Sequence, residues 1–321
     1  MNDATVLLTR PMPAAAAETL QEADLRPITL DSESPPARED VLAAVRGCAG
    51  AITMLSDRVD EGFLEAAGPT LRVVANYAVG FDNIDLDACR RRGVRVTNTP
   101  GVLTEATADL TWALILAASR RVVEGDALVR SGRWTGWAPT LLRGLELCGA
   151  TMGILGAGRI GTAVARRAAG FGMRILYTST HRNDTLERDL GAERVELDRL
   201  VRAADVLTLH VPMRPENHHL IGAAELAAMK PGAILINTAR GAVIDEAALV
   251  EALAARRIAA AGLDVYENEP ELAPGLAELS NVVVLPHLGS ATHATRDRMA
   301  RMAAENVVAV LAGRAPPNAV A

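Results

Sequence analysis

The chain has 321 residues, half of them hydrophobic, only 3% aromatic, and a net charge of −6 at neutral pH. That length suggests two domains of ordinary size, with cores built from Ala, Val, Leu and Ile. The acidic balance, without a long basic cluster, argues against a nucleic-acid partner, and no apolar run is long and charge-free enough to span a bilayer. The opening residues MNDATVLLTR do not read as a signal peptide. Cys48, Cys89 and Cys148 are odd in number and lack C-x-x-C spacing. They predict a reducing, cytoplasmic setting without a disulfide framework or zinc site, and no metal is expected.

In chain order, short strands are predicted at Thr5–Leu8, Ile28–Leu30, Ala51–Leu55, Leu71–Asn76 and Val94–Thr97. Helices over 14–23, 38–46, 59–67 and 86–92 alternate with them. Such alternation specifies a parallel α/β sheet. Asn98-Thr99-Pro100-Gly101 punctuates the chain as a hinge. A long apolar helix follows over 105–119, and then a surface excursion over 131–139 that carries Trp134 and Trp137. The alternation resumes with strands at 152–155, 173–178, 206–211, 233–236, 259–265 and 282–285, a helix over 246–255, and a terminal helix from Ala294 through Val310. The expected class is α/β, with two doubly wound parallel-sheet domains. Residues 1–97 plus 291–321 form one domain and residues 98–290 an inserted dinucleotide-binding Rossmann domain. A two-crossing hinge between such domains predicts a cleft for a small ligand.

The apolar run Met152–Leu155 reads as a buried strand and leads into Gly156-Ala157-Gly158-Arg159-Ile160-Gly161, and a helix starts where the glycines end. In that context G-x-G-x-x-G has a mechanism. Gly156 permits the tight turn, Gly158 lets a pyrophosphate approach the backbone, and Gly161 lets helix and strand pack closely. The N–H groups of the helix's first turn face the anion.

Ligands in open α/β sheets sit beyond the carboxyl ends of the strands. Those ends deliver His210-Val211-Pro212, then Asn237-Thr238-Ala239-Arg240-Gly241, then Asp264, Glu267 and Glu269, then Pro286-His287-Leu288-Gly289-Ser290. Arg240 has the planar fork that grips a carboxylate. His287 can give a proton to a carbonyl oxygen. Glu269 is a candidate acceptor from its other ring nitrogen, favouring the imidazolium. Asp264 is a candidate partner for a nicotinamide carboxamide. Together these groups suit a 2-oxo acid.

The chain resembles the D-isomer-specific 2-hydroxyacid dehydrogenase family over nearly its whole length. The motifs that carry the resemblance are Val79-Gly80-Phe81-Asp82-Asn83-Ile84-Asp85, the glycine turn 156–161, Asn237–Gly241, Gly262–Pro270 and Leu285–Ser290. The resemblance implies a flavodoxin-like substrate domain and catalytic roles for Arg240, Glu269 and His287. It implies that the backbone of Val79 and Gly80 holds the substrate carboxylate, with Ser56 and Asn76 nearby. Val102–Asp109 and Trp134–Trp137 resemble the glyoxylate/hydroxypyruvate reductase branch. That branch implies a homodimer built on the long helix, with Trp137 reaching the partner's active site. The positions expected to face the cofactor are Thr107, Gly156, Gly158, Arg159, Ile160, Gly161, Ser179, Thr180, Arg182, His210, Val211, Pro212, Thr238, Ala239, Arg240, Asp264, His287, Gly289 and Ser290.

The Rossmann pattern places an acid about twenty residues past the glycines, on the ribose 2′-OH. Here strand 173–178 runs instead into Ser179-Thr180-His181-Arg182, and Asp184 comes too late in the loop. Hydroxyls and a guanidinium suit a 2′-phosphate, so NADPH is expected ahead of NADH. The expected activity is reduction of a small 2-oxo acid such as glyoxylate or hydroxypyruvate, with His287 as general acid. The alternatives are a 2-ketogluconate or other 2-ketoacid reductase and, in a different class, a nucleotide-sensing binding protein like the C-terminal-binding-protein corepressors.

Overall fold

The structure, a computed structural model, describes residues 4–320. The chain divides into two compact units. One runs to Leu103 and resumes at Ser290; the other spans Thr104–Gly289.

The first unit holds strands β1 (Thr5–Leu8), β2 (Arg26–Thr29), β3 (Gly50–Thr53), β4 (Val73–Asn76) and β5 (Arg95–Thr97), in the order β2-β1-β3-β4-β5. Every pairing is parallel. β3 and β4 are buried along their whole length, as strands covered by helices on both faces must be. Leu7, Phe63, Val74 and Val96 belong to one buried cluster. The helices Glu61–Ala67 and Leu86–Arg91 start where Asp60 and Asp85 accept the N–H groups of Phe63 and Ala88. The strand order is the flavodoxin-like one, and it reverses between β1 and β3.

The second unit holds β6 (Thr151–Leu155), β7 (Arg174–Thr178), β8 (Glu193–Arg194), β9 (Val206–Leu209), β10 (Ile234–Asn237), β11 (Ala260–Leu263) and β12 (Val282–Val284). All are parallel, in the order β12-β11-β10-β9-β6-β7-β8. Alternate residues feed opposite faces, as the pleat demands. Met152 and Ile154 enter one core cluster, and Leu155 enters the other with Leu207 and Leu235. On the first of these faces the long helix Thr104–Ser119 brings Trp112, whose indole stacks on Phe171 at 4.3 Å and donates to Val164 O.

Several boundaries differ from the sequence expectation. β9 ends at Leu209, two residues short of the expected Val211. Beyond it the backbone at His210 passes close against the glycine turn. The sequence reading passed over the helices Val122–Arg130, Asp184–Leu190, Leu197–Ala203 and Ala223–Ala228. Among the described residues no helix is long and apolar enough to cross a membrane.

Candidate active site

In the second unit the strand order reverses between β6 and β9, and both strand ends open at that point. Gly156 follows β6 with φ +99°, and a Cβ there would lie 2.6 Å from the His210 carbonyl carbon. A Cβ on Gly161 would lie 2.1 Å from Gly156 O. These two glycines are required by the protein's own backbone. Gly158 is different: a Cβ there meets nothing within 4 Å, and no side chain caps the helix Arg159–Gly170 that it begins. The open space lies against the amino end of a twelve-residue helix. That is the place for a pyrophosphate, and a dinucleotide fits these residues. The Asn183 amide fastens the turn from the side, donating to Ala157 O (2.9 Å) and Thr162 Oγ1 (3.0 Å).

Beyond β7, Ser179 is half-buried and Thr180 and Arg182 are exposed. The Ser179 carbonyl accepts from Arg194 at 2.8 Å. The loop is less free of acids than the sequence suggested. The Arg182 guanidinium is paired with Glu187 at 2.5 Å and with Asp184 at 3.2 Å. Tyr177 donates its hydroxyl to the other Glu187 oxygen at 2.6 Å. The Tyr177 and Arg182 bonds hold the Glu187 carboxyl below the usual carboxylate range.

His210 lies beside Gly156, with Nε2 3.0 Å from Thr208 Oγ1. Burial pushes its imidazole down to about 3, so it is neutral near pH 7. Val211 is half-buried and Pro212 exposed on the loop that follows.

The ends of β10, β11 and β12 build the remaining rim. Asn237 accepts from Ala239 N–H and donates to Arg240 O, which fixes the turn bearing Arg240. Thr238 bonds Thr111 at 2.9 Å. Half-buried Arg240 donates one Nη1 bond to Ala239 O at 2.8 Å. Gly241 admits no side chain, since its Cβ would lie 1.8 Å from the Tyr266 carbonyl carbon. That close approach brings the Arg240 turn against the 264–270 loop.

Asp264 follows β11 and ties down the loop beyond β12. It is 1% exposed, and its two oxygens accept the N–H groups of Leu288 (2.6 Å) and Gly289 (2.8 Å). These bonds shape the loop that presents His287. Thr107, also buried, donates to Gly289 O at 3.1 Å and supports the same loop. The support is needed because His287 has φ +55°, a left-handed conformation that costs a non-glycine residue about 1–2 kcal/mol. Three bonds to Asp264 hold it there, including His287 N–H to Asp264 O.

In that posture His287 Nδ1 lies 2.9 Å from Glu269 Oε2, with both side chains about a third exposed. Tyr266 N–H donates to Glu269 Oε1 at 3.1 Å. Burial alone would raise the Glu269 carboxyl. The His287 bond and charge, the Tyr266 amide and the Arg240 charge outweigh it and hold the carboxyl below its ordinary value. Nδ1 is therefore committed to a carboxylate, and Nε2 is the ring nitrogen left to handle a substrate proton.

In the first unit, exposed Ser56 accepts from Arg10. Asn76 is fully buried, and its amide is spent on Thr53, Gly80 O and Asn83. It shapes the 77–85 turn. The Val79 and Gly80 N–H groups in that turn have no hydrogen-bond partner among the described residues. Trp137 is 83% exposed on the irregular segment past residue 130.

Sequence reasoning missed Asn183, Glu187 and Glu246. Glu246 is buried and accepts the Glu267 N–H at 2.7 Å, and burial raises its carboxyl. A carboxylate at the start of a helix was the available signal, but it reads as an ordinary first-turn acid.

A fold of two doubly wound parallel sheets, a dinucleotide turn and an Arg–Glu–His rim define an oxidoreductase acting on 2-hydroxy or 2-oxo acids. The model of the D-isomer specific 2-hydroxyacid dehydrogenase NAD binding domain matches residues 112–289, and the chain belongs to that family. Glyoxylate reductase of Thermococcus litoralis is 48% identical over 98% of this chain and 96% of its own. A crystal structure of a protein from Thermus thermophilus superimposes with TM-score 0.92 at 49% identity, covering 99% of this chain and 100% of that one. An NADPH-dependent glyoxylate/hydroxypyruvate reductase from Sinorhizobium meliloti, solved with NADP and malonate, gives TM-score 0.88 at 34% identity, over 99% and 97% of the two chains.

Proposed function

We propose that this chain reduces glyoxylate and hydroxypyruvate to the corresponding 2-hydroxy acids and prefers NADPH. The observation that carries the reading is the 2.9 Å His287–Glu269 pair on the same rim as Arg240. Arg240 takes the substrate carboxylate on its fork. His287, held by Glu269 through Nδ1, donates its Nε2 proton to the substrate carbonyl oxygen as that oxygen gains charge. Glu269, 2.9 Å from Nδ1, fixes the ring's orientation so that Nε2 is the nitrogen that exchanges the proton with the substrate. A bound nicotinamide supplies the hydride for the carbonyl carbon. The likeness to the Sinorhizobium enzyme supports the cofactor class. The preference for NADPH rests on Ser179, Thr180 and Arg182 in place of the ribose-binding acid.

Steady-state kinetics with both substrates and both cofactors test this. We expect turnover of glyoxylate and hydroxypyruvate with kcat/KM at least tenfold higher for NADPH. Equal efficiency or an NADH preference overturns the cofactor assignment; no turnover of either acid overturns the substrate assignment. His287→Ala should lower kcat at least a thousandfold while cofactor still binds. Near-normal turnover in that variant would remove His287 as the acid. We further propose a homodimer and, since Cys48, Cys89 and Cys148 are all free thiols, residence in a reducing cytoplasm.

A further inference from the structure

We propose that His218, His219 and Glu267 form a binding site for a first-row divalent transition metal, distinct from the His287–Glu269 pair. Adjacent residues usually send their side chains apart, but here the backbone prevents it. His219 has φ +51°, and its N–H is tied to Ala242 O at 2.8 Å. The two imidazoles consequently stack, with centroids 4.0 Å apart. His219 Nε2 already lies 2.8 Å from Glu267 Oε1. One donor atom from each of the three residues falls within 4.8 Å of the others. Among the described residues this is the one group of three or more His, Cys, Asp or Glu so disposed.

Ligands of a tetrahedral zinc ion, bound at about 2.0–2.1 Å, sit about 3.4 Å from one another. Closing the set around an ion requires the exposed His218 ring to turn off the face of His219, because stacked rings do not aim their in-plane lone pairs at one point. The Glu267 backbone is anchored, since its N–H is held by Glu246, so its carboxylate starts from a fixed base. His218 is exposed, and His219 and Glu267 are partly so, which leaves an entry path and room for water at a fourth position. Two imidazoles with one carboxylate select Zn²⁺, Ni²⁺, Co²⁺ or Cu²⁺ over Mg²⁺ or Ca²⁺. The expectation of no metal rested on the scattered cysteines, and none of them takes part. An ion here would cross-link the loop after β9 to the loop that bears Glu269.

The test uses the full chain, stripped with chelator and dialysed against Zn²⁺ at neutral pH, with metal content and thermal stability as readouts. We expect one ion per chain at micromolar free Zn²⁺ and a higher Tm with the ion bound. His218→Ala, a surface change that leaves folding intact, should raise Kd at least tenfold and abolish the Tm shift. Glu267→Gln should do the same. Co²⁺ substitution should give the visible absorption of a low-coordinate site, lost in His218→Ala. Absence of stoichiometric Zn²⁺ overturns the proposal. So does an ion retained in His218→Ala but lost in His287→Ala, which would place it at the His287–Glu269 pair.

Discussion

Asp264 and Glu269 lie on one loop, and burial pushes both carboxyls up, yet they end on opposite sides of their ordinary values. Glu269 receives His287 and the Arg240 charge and is held low. Asp264 receives two amides and a coulombic contribution from His287, but it also feels the negative Glu269 and stays high. The stability consequences have opposite sign. Glu269, depressed in the folded chain, contributes stability that is present above the ordinary glutamate value, about 4.3, and is lost as pH falls through its lower folded value. The Tm deficit of Glu269→Gln should therefore be full at pH 7 and shrink below about pH 4, as calorimetry across that range would read. A deficit that grows on acidification would contradict the assigned shift. For Asp264 the raised value means that keeping the charge near pH 7 costs stability, a cost that fades as pH falls towards its folded value. Asp264→Asn removes this cost but leaves one carbonyl oxygen for two amides. A buried N–H without a partner costs about 1–3 kcal/mol, so the His287 loop should shift to relieve it. We expect kcat to fall at least tenfold with little change in cofactor Kd; an unchanged kcat would show that Asp264 does not position His287.

At the scale of elements, the three glycines after β6 separate packing from ligand binding. Gly156→Ala and Gly161→Ala drive a methyl into backbone and should lower Tm by several degrees. Gly158→Ala meets no protein atom, so its Tm should match the parent while cofactor Kd rises at least tenfold. Thermal melts alongside fluorescence titration distinguish the cases, and unimpaired cofactor binding in Gly158→Ala would mean the pyrophosphate lies elsewhere. The sheet itself was legible in the sequence because buried parallel strands are short β-branched runs cut off by turn residues, as at Val73–Asn76 and Ile234–Asn237. The rim motifs were legible for the same reason. The backbone partners of Asp264 and Asn76 were not, because they depend on loop conformation, which residue spacing does not encode. The helix Asp184–Leu190 was hidden as well, being short and mostly polar, with only Leu186 buried. Its Asn183 cap accepts from Leu186 N–H while its amide holds the glycine turn, so one residue couples two parts of the cofactor site. That helix also carries Glu187, paired with Arg182, so a 2′-phosphate bound there would have to compete with it. Glu187→Gln should raise the NADPH-to-NADH ratio of kcat/KM severalfold and Arg182→Ala should collapse it; no response to either change would detach this loop from cofactor choice.

For the whole molecule, the apolar surface outside the two cores bears on assembly. The helix Val122–Arg130 buries none of its residues, yet Val122, Val123 and Val129 are among the chain's exposed large hydrophobics, as are Trp134, Trp137 and Leu141 just beyond it. Scattered apolar residues are normal on a surface, but a run gathered on one helix and its following segment marks an interaction site. A net charge of −6 on 321 residues is small enough not to oppose self-association strongly. A two-fold contact of standard size needs about 800 Å² from each copy, within reach of a helix and a twenty-residue segment of this composition. We therefore expect sedimentation equilibrium to give a dimer at micromolar concentration. Val123→Glu combined with Val129→Glu sets charges in the seam on residues with no role in either core, so it should yield a folded monomer. Trp137→Ala separates assembly from the site: if the residue reaches the partner's substrate pocket, the dimer persists while KM for hydroxypyruvate rises and KM for cofactor does not. A monomeric parent chain, or a dimer indifferent to the double substitution, would place the contact elsewhere or remove it.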